Sequence, residues 1–281
     1  MDYRERQLVS EGYVAVVRVE DIDGNVSYAA VDTSDLVSGS IDEVQVLDGS
    51  IPNGFVFTGE FVTVRRLLTP LEPSVAVGIG SNYKQAFVGG DKPLPSNPVL
   101  FFKTPNSFSH PGDPVILPRK AILAEKVKFE GELCVILRKG GKNIPRERAM
   151  DHVFGYTIAN DFSAVDWQGE RVGNQWSKGK NFDTFCPLGP GIVTVEDIVD
   201  PGELRITTTV NDHVAQAGNV SDMLFPIDEL IEFASAGCTL PSGCAILTGT
   251  PPGAFFVNPG DQIDVSISGI GTLSCDIVQE A

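Results

Sequence analysis

The sequence is poor in the residues from which zinc sites and disulfide frameworks are built. Its 281 residues include three histidines and five cysteines. The cysteines form no CxxC pair and the histidines show no zinc-ligand spacing, so a zinc site is not expected. Because the cysteines are odd in number and most lie in apolar stretches such as ELCVIL and LSCDIV, a reducing, cytoplasmic compartment is predicted.

Long apolar runs and positive charge are scarce as well. No eighteen apolar residues occur together, and the first ten residues lack an apolar core, so neither a transmembrane helix nor a signal peptide is expected. Lysine and arginine number 21 against 37 acidic residues, which gives a net charge of −16. A chain this acidic repels phosphate backbones and anionic lipid, so nucleic acids and membrane surfaces are not expected as partners.

Three common catalytic motifs are also missing. Neither GIGSNY nor SGIGTL completes a GxGxxG pattern, and no P-loop lysine motif is present. No serine lies in a nucleophile elbow. The sequence therefore gives no support to a dinucleotide-dependent, NTP-dependent or serine-hydrolase chemistry.

Turn residues and short apolar strands are abundant. The chain has 29 glycines, 19 prolines and 42% hydrophobic residues, enough for a sizeable core. A β-hairpin is predicted over 13–32, a closing hairpin over 262–278, and the clearest helix between Pro226 and Gly237. The predicted class is β-rich α+β. Prolines at 70 and 73 suggest a small N-terminal domain over 1–70 and a main domain over 71–281.

Two glutamates in an apolar strand are the first candidates for chemistry. Glu130 and Glu132 lie two apart in the predicted strand VKFEGELCVILRK, so both side chains should leave one face, which continues with Cys134 and Ile136. Burying bare carboxylates side by side is unfavourable, and a hard divalent cation would relieve that cost. Taken alone, this spacing is more typical of a strand end that emerges into solvent.

Other polar residues are weak signals individually. Asp161 follows the predicted strand VFGYTIAN, where most acids only form turns. Lys180 is predicted in a glycine-containing loop, where it could face a carboxylate or enolate but would ordinarily be solvated. The tight loop 248–253 could hold an oxyanion with its amides and hydroxyls, although turn formation also explains it. Gln168 means little in isolation.

Taken together, seven segments resemble the fumarylacetoacetate hydrolase family, in the family's order, from about Val75 to the C-terminus. The segments are GSNY (80–83), FFKTPNS (101–107), FEGEL (129–133), GYTIANDFSAVDWQ (155–168), GKNFDTFCPLGP (179–190), VNDHVAQAGNVSDMLF (210–225) and LTGTPPG (247–253). Each is weak by itself. Their common order argues against the solvent-exposed interpretation of the two glutamates and predicts a member of this family.

The resemblance implies a fold, a metal and a set of site residues. The fold would be the family's mixed β roll with a small N-terminal domain, assembled as a homodimer. The metal would be Mg²⁺ or Mn²⁺, acting as a Lewis acid on a small oxo-acid. The implied metal ligands are Glu130, Glu132 and Asp161; the implied catalytic residues are Lys180, Gln168 and Thr250; the implied substrate-binding residues, near the mouth of the site, are Tyr83, Lys103 and Gly249.

The chain departs from the family pattern where hydrolases activate water. Family hydrolases carry a histidine three residues after the tyrosine of GSNY, often with a glutamate three further on, as a general base. Here Ala86 and Gly89 occupy those positions. Val165 stands where relatives usually have arginine, and Gly243–Cys244 replaces the usual Gly–Asp.

Three functions remain open at this stage. The first is hydrolysis of a C–C bond in an acylpyruvate-like or fumarylacetoacetate-like substrate through a metal-stabilised enolate, with Glu170 or metal-bound hydroxide in place of the missing base. The second is a non-hydrolytic decarboxylase, tautomerase or isomerase/cyclase on the same metal, since these reactions need an enolate but no activated water. The third is a non-catalytic binding protein.

Overall fold

The computed structural model of the chain describes residues 15–89, 93–119 and 124–281, and most of its regular structure is β-strand. Strands and helices are numbered along the chain. Within these residues an 11-stranded sheet forms the largest element. Its strands, in spatial order, are β2 (Val26–Val31), β3 (Glu43–Ser50), β4 (Gly54–Leu68), β1 (Ala15–Asp21), β14 (Cys186–Thr194), β12 (Val153–Asn160), β10 (Gly131–Leu137), β18 (Ala245–Leu247), β5 (Ala76–Gly80) and β6 (Val99–Lys103), with β7 (Phe108–Ser109) beside β14.

A second sheet of five strands and two small strand pairs complete the β structure of the described residues. The five strands are, in spatial order, β16 (His213–Asn219), β15 (Arg205–Val210), β19 (Gln262–Ile267), β20 (Gly271–Gln279) and β8 (Val115–Leu117). The pairs are β9 (Val127–Lys128) with β13 (Ser163–Ala164), and β11 (Gly141–Lys142) with β17 (Thr239–Leu240).

Helices are short. The α-helices are α1 (Thr33–Ser38), α2 (Trp176–Lys180) and α3 (Ile227–Ser235), and the 3₁₀ turns are Lys84–Phe87, Pro105–Ser107, Arg146–His152, Val165–Trp167, Glu170–Val172, Pro201–Glu203 and Val220–Asp222. α3 follows Pro226, carries Asp228 and Glu229 in its first turn, and buries Leu230 and Ile231 on one face. None of the helices in this part of the chain is long and apolar enough to cross a membrane.

The central strands are apolar along their whole length because they are covered on both faces. Every residue of β10, β12 and β14 is buried. One face of β10 packs Leu133, Val135 and Leu137 into the main core, while Cys134 and Ile136 join a second apolar cluster on the other face. Glu132 inside β10, and Asp161 directly after β12, are therefore removed from bulk water by the fold itself.

The β-rich α+β class is confirmed, as are the closing hairpin β19–β20 and helix α3. The N-terminal hairpin is β1 paired with β2; its predicted first residue, Tyr13, lies outside the described residues. β1 also pairs with β14, in the register Ala15↔Val193, so the N-terminal strands continue the main sheet. The boundary at residue 70 stays a prediction.

One local prediction was wrong. The long strand predicted over VKFEGELCVILRK is interrupted at Phe129 and Glu130, so that β9 pairs with β13 and β10 pairs with β12.

Candidate metal and substrate site

The three predicted acidic ligands meet where β10 begins and β12 ends. These strands are antiparallel, with Gly131 opposite Asn160, so the residues just outside that pair become neighbours. The backbone N–H of Asp161 donates to the Glu130 carbonyl oxygen at 2.8 Å, and the Glu130 N–H donates to Asn160 Oδ1 at 3.0 Å. Glu132, one residue into β10, completes the group.

The carboxylates converge within a small, largely buried volume. One oxygen from each of Glu130, Glu132 and Asp161 lies within 4.8 Å of the others. Glu132 is 1% exposed and Asp161 is fully buried, whereas the Glu130 side chain is 22% exposed. Burial raises the pKa of Glu132 well above its usual value, and the neighbouring Asp161 charge raises it further. Burial likewise raises the pKa of Glu130.

This donor set fits a hard divalent cation. Three carboxylate oxygens are the ligands that Mg²⁺ and Mn²⁺ prefer, and a cation between them would offset the repulsion and desolvation that raise both glutamate pKa values. The partly exposed Glu130 leaves one side of the group open toward a cavity. The chemistry of these residues is thus suited to a metal with free positions for another ligand.

Two buried lysines flank the carboxylates. Lys180 Nζ donates to Glu130 Oε2 at 2.7 Å and also to Asp161 Oδ2. Lys103 Nζ donates to Asp161 Oδ1 at 2.7 Å and to the Phe185 carbonyl oxygen at 2.7 Å. Burial alone would lower the pKa of Lys180, but the surrounding carboxylates outweigh it and raise this pKa above the usual value. Asp161 is therefore held between two ammonium groups.

The position of Lys180 differs from the sequence-based expectation. It ends helix α2 and is 2% exposed, whereas a loop position with a solvated side chain was the ordinary expectation. Its ammonium group also lies 4.5 Å from the centre of the Phe101 ring. Lys180 thus enters the site because α2 packs against β6, which sequence spacing does not reveal.

Gly249 holds Glu132 from the loop that follows β18. Its backbone N–H donates to Glu132 Oε2 at 2.7 Å. The residue has φ +98°, and a Cβ there would lie 2.7 Å from Asn82 Cβ, so only glycine fits without strain. Gly249 was predicted to bind substrate; in the structure its donor is already engaged by a carboxylate.

Thr250 and Gln216 fasten the same loop to β10. Thr250 Oγ1 donates to the Gly131 carbonyl oxygen at 2.8 Å and accepts from Gln216 Nε2 at 2.8 Å. Gln216 Oε1 in turn accepts from the Gly131 N–H at 3.2 Å. The only proton of the Thr250 hydroxyl is therefore used within the protein, although its side chain still faces the cavity.

A cavity of about 420 Å³ opens in front of the carboxylates. Besides Glu130, Glu132, Lys180 and Thr250, its lining includes Ser81, Ala86, Lys128, Gln168, Trp176 and Ala254. Ala86 therefore presents a methyl group to the cavity at the position where the resemblance leads one to expect histidine. Gly89 is exposed with φ +76°, and neither it nor Glu170 is among the lining residues of the described chain.

Two predicted substrate-binding residues lie elsewhere. Tyr83 is fully buried and forms a backbone bridge with Met223, so its ring is part of the core. Lys103 is fully buried against Asp161. Neither residue is among the described residues that line the cavity, and a role for them in substrate binding stays a prediction.

Sequence reasoning missed three residues of the site. Lys128 lines the cavity, and its position two residues before Glu130 in extended backbone was the signal that would have found it. Asn160 orients the Glu130 backbone, and Asn82 donates to the Thr248 carbonyl oxygen at 2.8 Å. Nothing in the spacing of these asparagines marks them, since both act across distant segments.

Comparison with known proteins gives consistent relatives. The family described as fumarylacetoacetate (FAA) hydrolase C-terminal matches residues 75–278. A mitochondrial oxaloacetate tautomerase of Xenopus laevis is 41% identical over 220 residues, covering 75% of this chain and 68% of that protein.

Two solved structures resemble the whole described fold. A 5-carboxymethyl-2-hydroxymuconate delta-isomerase from Mycobacterium smegmatis has a TM-score of 0.83 and 35% identity, covering 95% of this chain and 100% of its own. A 2-hydroxyhepta-2,4-diene-1,7-dioate isomerase from Mycobacterium marinum also has a TM-score of 0.83, with 34% identity, covering 95% of this chain and 99% of its own.

Proposed function

The chain belongs to the fumarylacetoacetate hydrolase family of enzymes, and on that premise we propose that it is a metal-dependent tautomerase of a small 2-oxo acid. The substrate to test first is oxaloacetate, which the Xenopus relative is named for. The reaction would interconvert the keto and enol forms. This corresponds to the non-hydrolytic alternative from the sequence, and the relatives favour it over the hydrolysis that was predicted first.

One observation supports the choice of reaction above the others. The cavity holds an acidic triad suited to a divalent cation, but Ala86 faces it where a hydrolase of this family would place its water-activating histidine. None of the described residues that line the cavity is a histidine. Keto–enol exchange moves one proton between C3 and the C2 oxygen and breaks no carbon–carbon bond. It therefore needs no activated water.

Glu130, Glu132 and Asp161 would hold the cation. When bound, Mg²⁺ or Mn²⁺ would supply Lewis acidity at the 2-oxo group. Lys180 lines the same cavity and is fixed as an ammonium group by Glu130 and Asp161, so it can donate to the oxygen on which negative charge develops. Gln168 also lines the cavity, and its amide would orient the substrate.

Thr250 and Gly249 act through the protein in this proposal. Their hydrogen bonds to Gly131 and Glu132 keep the 248–253 loop and the carboxylate in place. Both were predicted to act on substrate directly, and we assign them instead to positioning the metal ligands. The homodimer and the cytoplasmic location stay predictions.

The test is to follow enol oxaloacetate by absorbance and NMR with Mg²⁺-loaded protein. Free Mg²⁺ at the same concentration gives the background rate, because dissolved cations also promote this reaction. The Glu132→Gln variant is the matched control, since it keeps the side-chain volume and removes the charge. The expected result is metal-dependent acceleration by the wild type alone.

Acetylpyruvate distinguishes hydrolysis from tautomerisation. Its conversion to acetate and pyruvate at a rate above that of oxaloacetate tautomerisation would overturn the proposal and restore the hydrolase. Equal rates for the wild type and Glu132→Gln on oxaloacetate would also overturn it, because the acidic triad would then have no part in turnover.

A further inference from the structure

A third lysine, Lys128, faces the cavity without taking part in the network around Asp161. It lies in β9, two residues before Glu130, and both side chains line the cavity. Val127 and Phe129, the residues on either side of Lys128, are 1% and 0% exposed and belong to the core. Lys128 therefore lies beside the same cavity as the first metal ligand, while its two neighbours in sequence are buried.

The backbone around Lys128 is fixed on two sides. β9 pairs with β13 through Ser163, and Lys128 bridges to Phe256 in the segment that follows the 248–253 loop. The Val257 N–H donates to the Val127 carbonyl oxygen at 2.9 Å. The backbone of Lys128 is therefore fixed by pairing on both sides, although the residue itself is only partly buried.

The ammonium group of Lys128 has an aromatic neighbour but no acidic one. Nζ lies 5.3 Å from the centre of the Phe256 ring, within the range of a cation–π contact. Across residues 15–89, 93–119 and 124–281, no carboxylate is within ion-pair distance of it. Lys103 and Lys180, by contrast, are both committed to Asp161.

The charges around the cavity leave Lys128 in excess. When a divalent cation is bound, all three carboxylates are ionised and carry three negative charges. Lys103 and Lys180 contribute two positive charges and the cation two more, so the carboxylates, lysines and cation together carry a net charge of +1. Lys128 adds a second positive charge. A substrate with two carboxylates would match this pair, while a monocarboxylate would leave one charge unmatched in an otherwise acidic protein.

We propose that Lys128 is the specificity-determining residue that binds the carboxylate remote from the 2-oxo group, so that the enzyme selects dicarboxylic 2-oxo acids. The inference rests on the proposed tautomerase function and adds the class of substrate to it. Lys128 and Glu130 are two residues apart, so their Cα atoms are separated by roughly 7 Å at most. A four-carbon diacid held at the triad can span that separation when the flexible lysine side chain reaches toward it.

The kinetic test compares oxaloacetate with 2-oxobutanoate, which has a methyl group in place of the remote carboxylate. Deuterium exchange at C3, followed by NMR, measures enolisation of both. For Lys128→Gln we expect kcat/KM on oxaloacetate to fall about tenfold, mainly through KM, as for loss of one charge-assisted hydrogen bond. The value for 2-oxobutanoate should stay within about twofold, and Lys128→Arg should recover most of the loss.

The matched control is Lys178→Gln. Lys178 also lies against an aromatic ring, 4.6 Å from the centre of Phe182, but it is exposed and is not among the cavity-lining residues. It reports the general effect of removing one positive charge from this acidic chain. A fall in kcat/KM equal to that of Lys128→Gln would assign the effect to the overall field and overturn the proposal.

Binding provides a readout that does not depend on turnover. Calorimetric titration of the metal-loaded protein with 3,3-difluorooxaloacetate, which has no C3 proton, and with 3,3-difluoro-2-oxobutanoate gives the preference for the diacid directly. We expect the wild type to prefer the diacid and Lys128→Gln to lose that preference. A preference unchanged in Lys128→Gln, or an equal loss for both ligands, overturns the role of Lys128. Tight binding of 3,3-difluorooxaloacetate together with no deuterium exchange at C3 of oxaloacetate would instead overturn the proposed tautomerase function.

Discussion

Replacing Lys103 with methionine should destabilise the protein strongly, because it removes one partner of a fully buried ion pair. Lys103 Nζ and Asp161 Oδ1 are 2.7 Å apart, and both side chains are 0% exposed. Methionine has a similar length and shape, so Lys103→Met leaves little cavity. What it leaves is a buried aspartate with one ammonium partner fewer, and a Phe185 carbonyl oxygen without that donor.

The size of the effect follows from burial. Removing one partner of a buried pair typically costs about 3–5 kcal/mol, because the other charge stays desolvated. For a chain of this size that corresponds to a fall in Tm of roughly 6–20 °C. The surface pair of Arg65 and Glu20 has almost the same length, 2.8 Å, but the Arg65 side chain is 62% exposed. Arg65→Met should therefore cost about 1 kcal/mol or less.

The assay is urea unfolding and thermal melting of both variants in the presence of chelator. Added Mg²⁺ should return part of the stability to Lys103→Met, since the cation replaces the lost positive charge beside Asp161. The double variant with Asp161→Asn should lose less than the sum of the two single variants, because the charges are coupled. A loss below about 1 kcal/mol, or strict additivity, would refute the reasoning by showing that water solvates the pair.

Three further predictions test the site and the fold. Glu132→Gln should weaken Mg²⁺ binding, measured by calorimetry, by at least roughly tenfold while keeping the hydrogen bond from Gly249; unchanged affinity would exclude Glu132 as a ligand. Gly249→Ala should lower the free energy of unfolding by more than about 1 kcal/mol and should also weaken Mg²⁺ binding, because the new Cβ would clash with Asn82. A urea midpoint equal to that of the wild type would contradict this. Burial lowers the pKa of His110, so the folded state resists its protonation and stability should fall as pH drops below the unfolded value of 6.5; His110→Asn should remove that part of the pH dependence, measured by urea unfolding from pH 7.5 to 5.

The class of the fold and its family could be predicted because they depend on patterns local in sequence. Strands such as β12 and β14 are continuous apolar runs, and α3 repeats apolar residues at helical spacing after Pro226. The acidic triad was predicted from the resemblance. The spacing of Glu130 and Glu132 alone was more typical of a solvent-exposed strand end, and Asp161 alone was a weak signal; the segments FEGEL and GYTIANDFSAVDWQ, in the family's order, implied that the three bind a metal.

The interruption of the predicted strand at Glu130 could not be foreseen from the same patterns. β9 and β10 pair with different partners, so the break depends on where the strands β12 and β13 run. Glu130 and Glu132 nevertheless line the same cavity, in agreement with the prediction that their side chains leave one face.

The environment of the lysines depended on tertiary structure throughout. Lys103 meets Asp161 across 58 residues of chain, and Gly249 meets Glu132 across 117. Sequence spacing says nothing about such pairs, and a lysine beside glycine is ordinarily solvated. Both lysines are buried because β6 and α2, which end at Lys103 and Lys180, contact each other and bring the two ammonium groups to Asp161.

The sequence by itself therefore determined the fold class, the family and the residue types available for a metal, because apolar periodicity and ordered short motifs are written along the chain. The tertiary structure decided which polar groups share the cavity. It brought Lys128 and Ala86 to the lining, removed Tyr83 and Lys103 from it, and engaged Gly249 with a carboxylate. The physical reason is that burial and charge pairing are set by contacts between distant segments, and the chemistry of the site depends on both.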